Sequence, residues 1–397
     1  MPRVDLVATY LAALPDGGAE AAAEAFATGQ TIGTWIDVPG ITPEMRDEHG
    51  GRVSELRRTT DRERVAGESA DGAWLLRVAF PVVNFGPGFP MLFTTLVGND
   101  PSTSIAARLI DIEPPPSFVA GFPGPGHGID GWRRLTGVTH RPLLLNMIKP
   151  NTGFGPEVGA KLATEVAAGG VDLVKDDELL ADPSFNRVAE RAAAYRAALD
   201  RVASQTGHRA RYVANVTTRG ERLLATARAA LEAGADAVMV NALAVGLDAV
   251  ASLAEARLGV PIFGHTAGIE TMTGGGRSGI GQAVLLGRLL RLAGADAILT
   301  STPYARRPLD RFVYEATIRR LRDDWAGLRA VAPIVGGGLT SAHIPDLIVD
   351  LGADAIIGVG GAIQGHPDGA TAGARAIRTA IDDAVAAVDA REAEADR

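Results

Sequence analysis

Gly170-Val171-Asp172-Leu173-Val174-Lys175-Asp176-Asp177-Glu178 compresses a helix end, a buried strand and a charged strand terminus into one short run. The glycine supplies the left-handed backbone that closes a helix, and the apolar stretch Val171–Val174 then reads as a strand. It stops abruptly in a lysine and three acids. Four charged side chains at one strand end are costly near a core unless they pair or share a metal. A run of acids is also the usual face of a solvated turn, so the surrounding chain has to decide.

The same punctuation recurs at Gly234-Ala235-Asp236, Gly294-Ala295-Asp296 and Gly352-Ala353-Asp354. Around it, apolar runs come at Leu143–Ile148, Val171–Val174, Tyr212–Val216, Ala237–Val240, Pro261–Phe263, Ala297–Leu299, Val331–Val335 and Ala355–Val359. Ala-rich amphipathic segments fill the gaps: Glu157–Ala168, Ser184–Thr206, Glu221–Ala233, Leu247–Leu258, Gln282–Ala293, Leu309–Leu328, Ala342–Leu351 and Gly373–Val388. Eight strand–helix pairs between residues 143 and 390 match the roughly 250 residues of a (β/α)₈ barrel. An open doubly wound sheet is the other arrangement of such repeats, and eight regular ones favour closure.

The chain before the repeats is different. Gly18–Ala27 has a helical pattern, and Gly33–Val38, Ala73–Phe80 and Met91–Val97 read as strands, the last ending in Gly98-Asn99-Asp100. That mixture predicts a smaller α+β (ferredoxin-like) domain with an antiparallel sheet. Between Glu113 and Gly131, Pro114-Pro115-Pro116 and Gly121–Gly128 read as a linker or surface loop. Its glycines superficially resemble a dinucleotide fingerprint, but that motif requires a strand before and a helix directly after, and neither is expected. The expected division is an N-terminal α+β domain over 1–125 and an α/β TIM-barrel catalytic domain over 126–397.

The 397 residues carry 46% hydrophobic and 22% charged side chains and a net charge of −8. These values describe an ordinary globular chain and argue against nucleic acid or an anionic membrane as partner. No run reaches the ~18 uninterrupted apolar residues of a membrane span, and the first residues lack a signal-peptide core. The absence of cysteine excludes disulfides, thiolate metal sites and a cysteine nucleophile. A cytoplasmic enzyme is the expectation.

Barrel enzymes work at the C-terminal ends of their strands. In order, those ends carry Lys149-Pro150-Asn151, Lys175–Glu178, Asn215, Asn241, Gly264-His265-Thr266, Thr300–Tyr304 followed by Arg306 and Arg307, Gly336-Gly337-Gly338, and Gly360-Gly361. The glycines after strands seven and eight occupy the usual phosphate position of this fold, where bare backbone N–H groups can approach an anion. Asp177 and Glu178 offer hard oxygen ligands suited to Mg²⁺, but two carboxylates are few without a third ligand or the substrate. A lysine beside a metal is either a base of lowered pKa or a modified residue. His265 is a candidate for acid–base chemistry or substrate contact.

These pieces together resemble the RuBisCO large-subunit superfamily along most of the chain. The matching segments are Gly33-Thr34-Trp35, Gly98-Asn99, Ile148-Lys149-Pro150, Gly170–Glu178, Gly264-His265, Gly336-Gly337-Gly338, and Gly360-Gly361 with Gly365-His366-Pro367. The resemblance implies that Lys175 is carbamylated (N6-carboxylated) by CO₂ and binds Mg²⁺ with Asp177 and Glu178. It implies that Lys149 moves protons during enolisation. Substrate phosphate would be held by Gly337, Gly338, Gly360 and Gly361 with Thr34 and Trp35 of a neighbouring subunit, while Asn99 and His265 contact the substrate. A homodimer with a shared active site follows.

The departures narrow the chemistry. Asn151 replaces the second lysine of the family's Lys-Pro-Lys, Thr266 the arginine after the histidine, Leu299 the histidine of strand six, and Gly336 the serine before the glycines. The glutamate that carboxylases carry before Gly-Thr-Trp is absent, and the loop after strand six lacks its lysine, with Arg306 in that loop instead. Such a chain resembles a RuBisCO-like protein that does not fix CO₂, an Mg-dependent lyase or isomerase working through an enediolate on a phosphorylated small molecule. The specific expectation is 3-oxo-isoapionate 4-phosphate decarboxylase or transcarboxylase/hydrolase. Methionine-salvage activities, 2,3-diketo-5-methylthiopentyl-1-phosphate enolase or methylthioribulose-phosphate isomerase, are the alternatives. Asn241–Asp248 and Ser301–Tyr304 resemble the salvage enolases, but those carry a lysine base where this chain has Asn99. A catalytically silent regulatory relative is the alternative of another class.

Overall fold

The computed structural model describes residues 3–33, 38–99, 101, 104–276 and 278–395. Thr34, Trp35 and most of the expected Gly33–Val38 strand lie outside the described residues. The chain forms two compact units. One comprises the segment up to Gly124 with Gly268–Ala293 and Phe312–Leu328; the other comprises Pro125–Ala267, Gly294–Arg311 and Arg329–Arg397.

The first unit is built on a five-stranded sheet ordered Gly279–Ile280, Ala107–Glu113, Asp5–Ala12, Trp74–Pro81, Arg52–Arg58. Its four N-terminal strands pair antiparallel, with Asp5 opposite Pro81 and Ala12 opposite Trp74. The edge strand Arg52–Arg58 is largely polar, which keeps an open sheet edge in water. Helix Ala19–Gly29 presents Ala19, Ala23, Phe26 and Ala27 inward, and Phe26 meets Tyr10 edge-on at 5.3 Å.

Two expectations need correction here. Met91–Val97 is not a strand but part of helix Phe89–Val97. Pro90 sits in its first turn, and the buried Phe89, Leu92, Thr95 and Leu96 recur at three- to four-residue spacing, the helical rather than the strand period. The Glu113–Gly131 segment is not a bare linker either. It contains helices Pro116–Val119 and Gly128–Thr136, and Phe118 and Phe122 pack edge-on against Phe85 and Phe89 at 5.5 and 5.0 Å. A helix does follow the glycines directly, yet the N–H groups of His127 and Gly128 both donate to Asp296 Oδ1, at 2.6 and 2.7 Å. An internal carboxylate therefore takes the donors that a phosphate would need.

The second unit contains a closed barrel of eight parallel strands: Leu143–Met147, Leu173–Lys175, Arg211–Asn215, Ala237–Asn241, Ile262–His265, Ala297–Thr300, Ala332–Val335 and Ile356–Gly358, paired in cyclic chain order. Its interior is packed with Leu145, Leu173, Val213, Met239, Phe263, Ile334 and Ile356, and Trp132 from the preceding helix joins them fully buried.

The repeated Gly-x-Asp has a physical role. Gly170, Gly234, Gly294 and Gly352 all take positive φ, the conformation that ends a helix without a Cβ clash. Three of the following aspartates then pin the start of the preceding strand. Asp172 accepts from Leu144 N at 2.8 Å, Asp236 from Tyr212 N at 2.9 Å and Asp296 from Ile262 N at 2.9 Å. The fourth, Asp354, faces outward and accepts from Arg133 Nε at 2.9 Å. One tripeptide thus marks the helix end and fixes adjacent strand starts, leaving the opposite strand ends for chemistry.

Candidate active site at the C-terminal ends of the barrel strands

Strands one and two place Lys149 and the Lys175–Glu178 run side by side. The Lys149 Nζ donates to Asp177 Oδ2 at 2.5 Å and to Asn151 Oδ1 at 2.8 Å. Asp177 is fully buried as a side chain, while Lys149 keeps about one third of its surface exposed. The Lys175 side chain is 1% exposed, and its Nζ donates to the Asp176 carbonyl at 2.8 Å and lies 3.7 Å from Glu178 Oε2. Burial pushes the Lys175 ammonium below its ordinary range; Glu178, Asp177 and Asp176 pull it back up, and Lys149 adds to the lowering.

His265, at the end of strand five, brings Nε2 to 3.5 Å from Glu178 Oε2. Burial, then the charge of Lys175, drives its pKa down to about 3, so the ring is neutral near pH 7. Its Nδ1 accepts from Ala267 N at 3.2 Å, which assigns the proton to Nε2.

Asp176 points elsewhere. Both its oxygens face Arg191, with Nε and Nη2 each at 3.0 Å, and Oδ2 also accepts from Tyr212 OH at 2.7 Å and Asn215 N at 2.9 Å. Every one of these side chains is buried. Asp176 is therefore the anchor that turns the chain so that its neighbours face the barrel mouth. Asn215 donates to the carbonyls of Asp177 and Glu178 at 3.2 and 3.3 Å, and Asn241 to that of Glu178 at 2.9 Å. The Arg191 anchor was not foreseen. Its signal was an arginine sharing the helical spacing of Val188, Ala192 and Tyr195, all buried on one face of helix Val188–Thr206.

Around the same rim, Gly337 and Gly338 both take positive φ. A Cβ on Gly360 would come within 2.7 Å of Met147 Sδ and 3.6 Å of Lys149 Cε, so strand eight's glycine turn runs against the Lys149 strand. Gly361 faces open space. Thr266, at the former arginine position, uses its hydroxyl to donate to the Leu299 carbonyl at 3.0 Å. Asn99 belongs to the other unit, exposed just past helix Phe89–Val97.

Among the described residues no three His, Cys, Asp or Glu side chains gather as a ready metal site. The donor set still fits one hard cation: two carboxylates, Asp177 and Glu178, flank a buried amine that would act as an oxygen donor once carboxylated.

Family profiles decide the relationship. The profile for the ribulose bisphosphate carboxylase large chain, catalytic domain, matches residues 128–396, and that for its N-terminal domain matches residues 2–118. This chain belongs to the RuBisCO large-chain family, as a RuBisCO-like protein. It is 39% identical over 387 residues to a ribulose bisphosphate carboxylase-like protein of Archaeoglobus fulgidus, covering 97% of this chain and 88% of that one. It is 38% identical over 378 residues to the 2,3-diketo-5-methylthiopentyl-1-phosphate enolase of Geobacillus kaustophilus, covering 94% and 91%. The solved rubisco-like protein MtnW of Alicyclobacillus acidocaldarius superimposes with a TM-score of 0.85 at 36% identity, covering 96% and 93%. A dimeric archaeal Rubisco from Hyperthermus butylicus gives 0.85 at 30% identity, covering 97% and 91%. The RuBisCO fold, barrel and N-terminal sheet together, is the one expected. No helix among the described residues is long and apolar enough to cross a membrane.

Proposed function

We propose that this RuBisCO-like chain is an enolase of the 2,3-diketo-5-methylthiopentyl-1-phosphate type, removing a proton beside a carbonyl of a phosphorylated ketone. The observation that carries the proposal is the convergence of Lys149, Lys175, Asp177, Glu178 and His265 on one barrel rim. The enolase names of relatives at 34–38% identity over nearly the whole chain turn the reading away from the sugar-acid decarboxylase expected first. The far end of the site fits a substrate with one phosphate rather than two, since Thr266 and Leu299 offer no cation there; both readings meet that condition.

Carbamylated Lys175, Asp177 and Glu178 would hold Mg²⁺, which when bound supplies positive charge beside the substrate's carbonyl oxygens. Lys149 takes the C–H proton, and the C–H pair becomes the carbon–carbon double bond of the enol as the carbonyl oxygen is protonated. Asn99 cannot accept a proton, so the base falls to Lys149. Neutral His265 donates from Nε2 to a substrate oxygen or to Glu178. Asn215 and Asn241 hold the backbone of the acidic turn in place. The functional unit in this proposal is a homodimer, with Thr34 and Trp35 of the partner subunit completing the phosphate site.

Asn99 favours one second reading. Decarboxylation of a phosphorylated 3-oxo sugar acid breaks a C–C bond and releases CO₂ with no C–H base, which a chain without that lysine could perform. The test presents each substrate with Mg²⁺ and bicarbonate in D₂O. Deuterium uptake and enol absorbance with the diketone support the enolase; CO₂ release from 3-oxo-isoapionate 4-phosphate with an inert diketone replaces it.

A further inference from the structure

Strand one is tied to its neighbours by more than the backbone ladder. Its parallel pairing with strand eight runs as far as Gly358 opposite Leu145, and Val359 N still donates to the Leu145 carbonyl at 2.9 Å. Beyond that point a side chain takes over. Asn146 Nδ2 donates to the Val359 carbonyl at 2.8 Å, and Asn146 Oδ1 accepts from Gln364 Nε2 at 3.0 Å. Gln364 closes the short helix Gly361–Gln364, so one amide holds both ends of the strand-eight turn. On the other edge of strand one, Ile148 N donates to the Lys175 carbonyl at 3.1 Å.

The residue at 146 is a costly choice for a strand interior. Asn146 is fully buried and follows Leu143, Leu144 and Leu145. A buried amide is tolerated only when its polar atoms are bonded, whereas a fourth leucine would carry no such requirement. Here donor and acceptor are both used, and a satisfied polar pair fixes one arrangement where apolar packing allows several. What it fixes lies beside the candidate base. A Cβ on Gly360 would stand 2.7 Å from Met147 Sδ and 3.6 Å from Lys149 Cε. The turn is therefore seated on Met147 next to Lys149 and gripped at its two ends by Asn146.

We propose that Asn146 and Gln364 are positioning residues that set the Gly360–Gly361 turn at a fixed distance from the Lys149 amine. They thereby select substrates by the separation between the acidic C–H and the end that lies on the turn. Both act through the backbone of residues 359–364 rather than by touching the substrate. The selection rests on Lys149 as the base of the enolase reading and adds to it a limit on substrate length.

Gln364 is only half-buried, so it can be changed without emptying the core. Q364M keeps the length and removes the donor, and Q364K restores a donor for Asn146 Oδ1. Amide hydrogen exchange on the full-length protein, read by mass spectrometry, reports the turn directly. The N–H groups of Ile363, Gln364 and Gly365 bond the Gly360 and Gly361 carbonyls at 3.1, 3.0 and 2.8 Å. Uptake over residues 359–365 should quicken in Q364M and return towards wild type in Q364K, with both melting temperatures within about 3 °C of wild type. On the methylthio diketone phosphate, kcat/KM should fall about ten- to a hundredfold in Q364M, mostly in kcat, and recover in Q364K. Wild type should also prefer this diketone about tenfold or more over a homologue with one extra methylene before the phosphate, and Q364M should lose most of that preference. N146L should lose as much as N146L/Q364M, since either change opens the clasp; should N146L fail to fold, the Gln364 variants decide alone. Wild-type exchange over 359–365 in Q364M overturns the clasp. Faster exchange with kcat/KM and length preference unchanged overturns the positioning role and leaves the enolase standing. Wild type inert towards the diketone, with Q364M slower than wild type on 3-oxo-isoapionate 4-phosphate, removes the enolase and keeps the positioning role.

Discussion

Lys149 and Asp177 form a 2.5 Å contact between barrel strands one and two, with the amine one-third exposed and the carboxylate fully buried. The arrangement is asymmetric in a useful way. The carboxylate is fixed, whereas the lysine can swing towards a ligand without unfolding anything. A structural ion pair buried from both sides would lack that freedom, as Arg191 and Asp176 do beneath it.

The first consequence concerns proton transfer. Lys149→Met should lower kcat for hydrogen exchange into the substrate by about 10² to 10⁴, the usual contribution of a general base, with KM changed far less. Single-turnover exchange in D₂O measures it. Exchange at the wild-type rate would show that the base lies elsewhere.

Metal and CO₂ dependence should depend on Lys175. Dialysis of wild type against a chelator should abolish turnover, and Mg²⁺ with bicarbonate should restore it. Lys175→Ala should remain inactive under the same additions while still folding, because the buried amine makes one hydrogen bond among the described residues, to the Asp176 carbonyl. Activation of the alanine variant by bicarbonate would sink the carbamate assignment.

The barrel was legible because its punctuation is chemical. Each Gly-x-Asp needs glycine for the positive φ of a helix end, and in three of the four the aspartate then bonds a neighbouring strand start. The candidate site residues stood out for a related reason: charged and glycine-rich segments fall at the C-terminal strand ends, the face where barrels of this kind carry their chemistry. The N-terminal unit was harder to read. Asp5–Ala12 is its central strand, but its burial is nearly continuous on both faces and shows little of the alternation that marks a half-buried strand. Phe89–Val97 misled through its β-favouring composition, although Pro90 in the first turn was the better guide. The Asp176–Arg191–Tyr212 anchor joins residues 15 and 36 positions apart. Its partners are named only by the fold.

Stability should rest on the opposite end of the barrel. Asp172 is fully buried and accepts from both Arg141 Nη groups, at 2.6 and 2.8 Å, as well as from Leu144 N. Asp172→Ala leaves a guanidinium that is 2% exposed with the Pro142 carbonyl and the half-exposed Asp382 at 3.7 Å, and removal of one partner of such a buried pair costs roughly 3–5 kcal/mol. Urea unfolding should register a loss of that size. A change below ~1 kcal/mol would mean that Asp382, already 3.7 Å from Arg141 Nε, takes over the pairing.

The two glycines of the strand-eight turn separate structure from ligand. A Cβ at 360 would press on Met147 within 2.7 Å and approach Lys149 Cε at 3.6 Å, so Gly360→Ala should disturb the base as well as the turn, lowering kcat and raising KM together. A Cβ at 361 meets nothing within 4 Å. Gly361→Ala should leave the unfolding midpoint unchanged. If substrate phosphate lies against this backbone, the added methyl takes the space that the phosphate oxygens need. KM should then rise about tenfold or more, the equivalent of ~1.4 kcal/mol of binding, with kcat nearly intact at saturation. A Gly361→Ala enzyme with wild-type KM would place the phosphate away from strand eight, leaving the strand-seven turn as its remaining glycine contact.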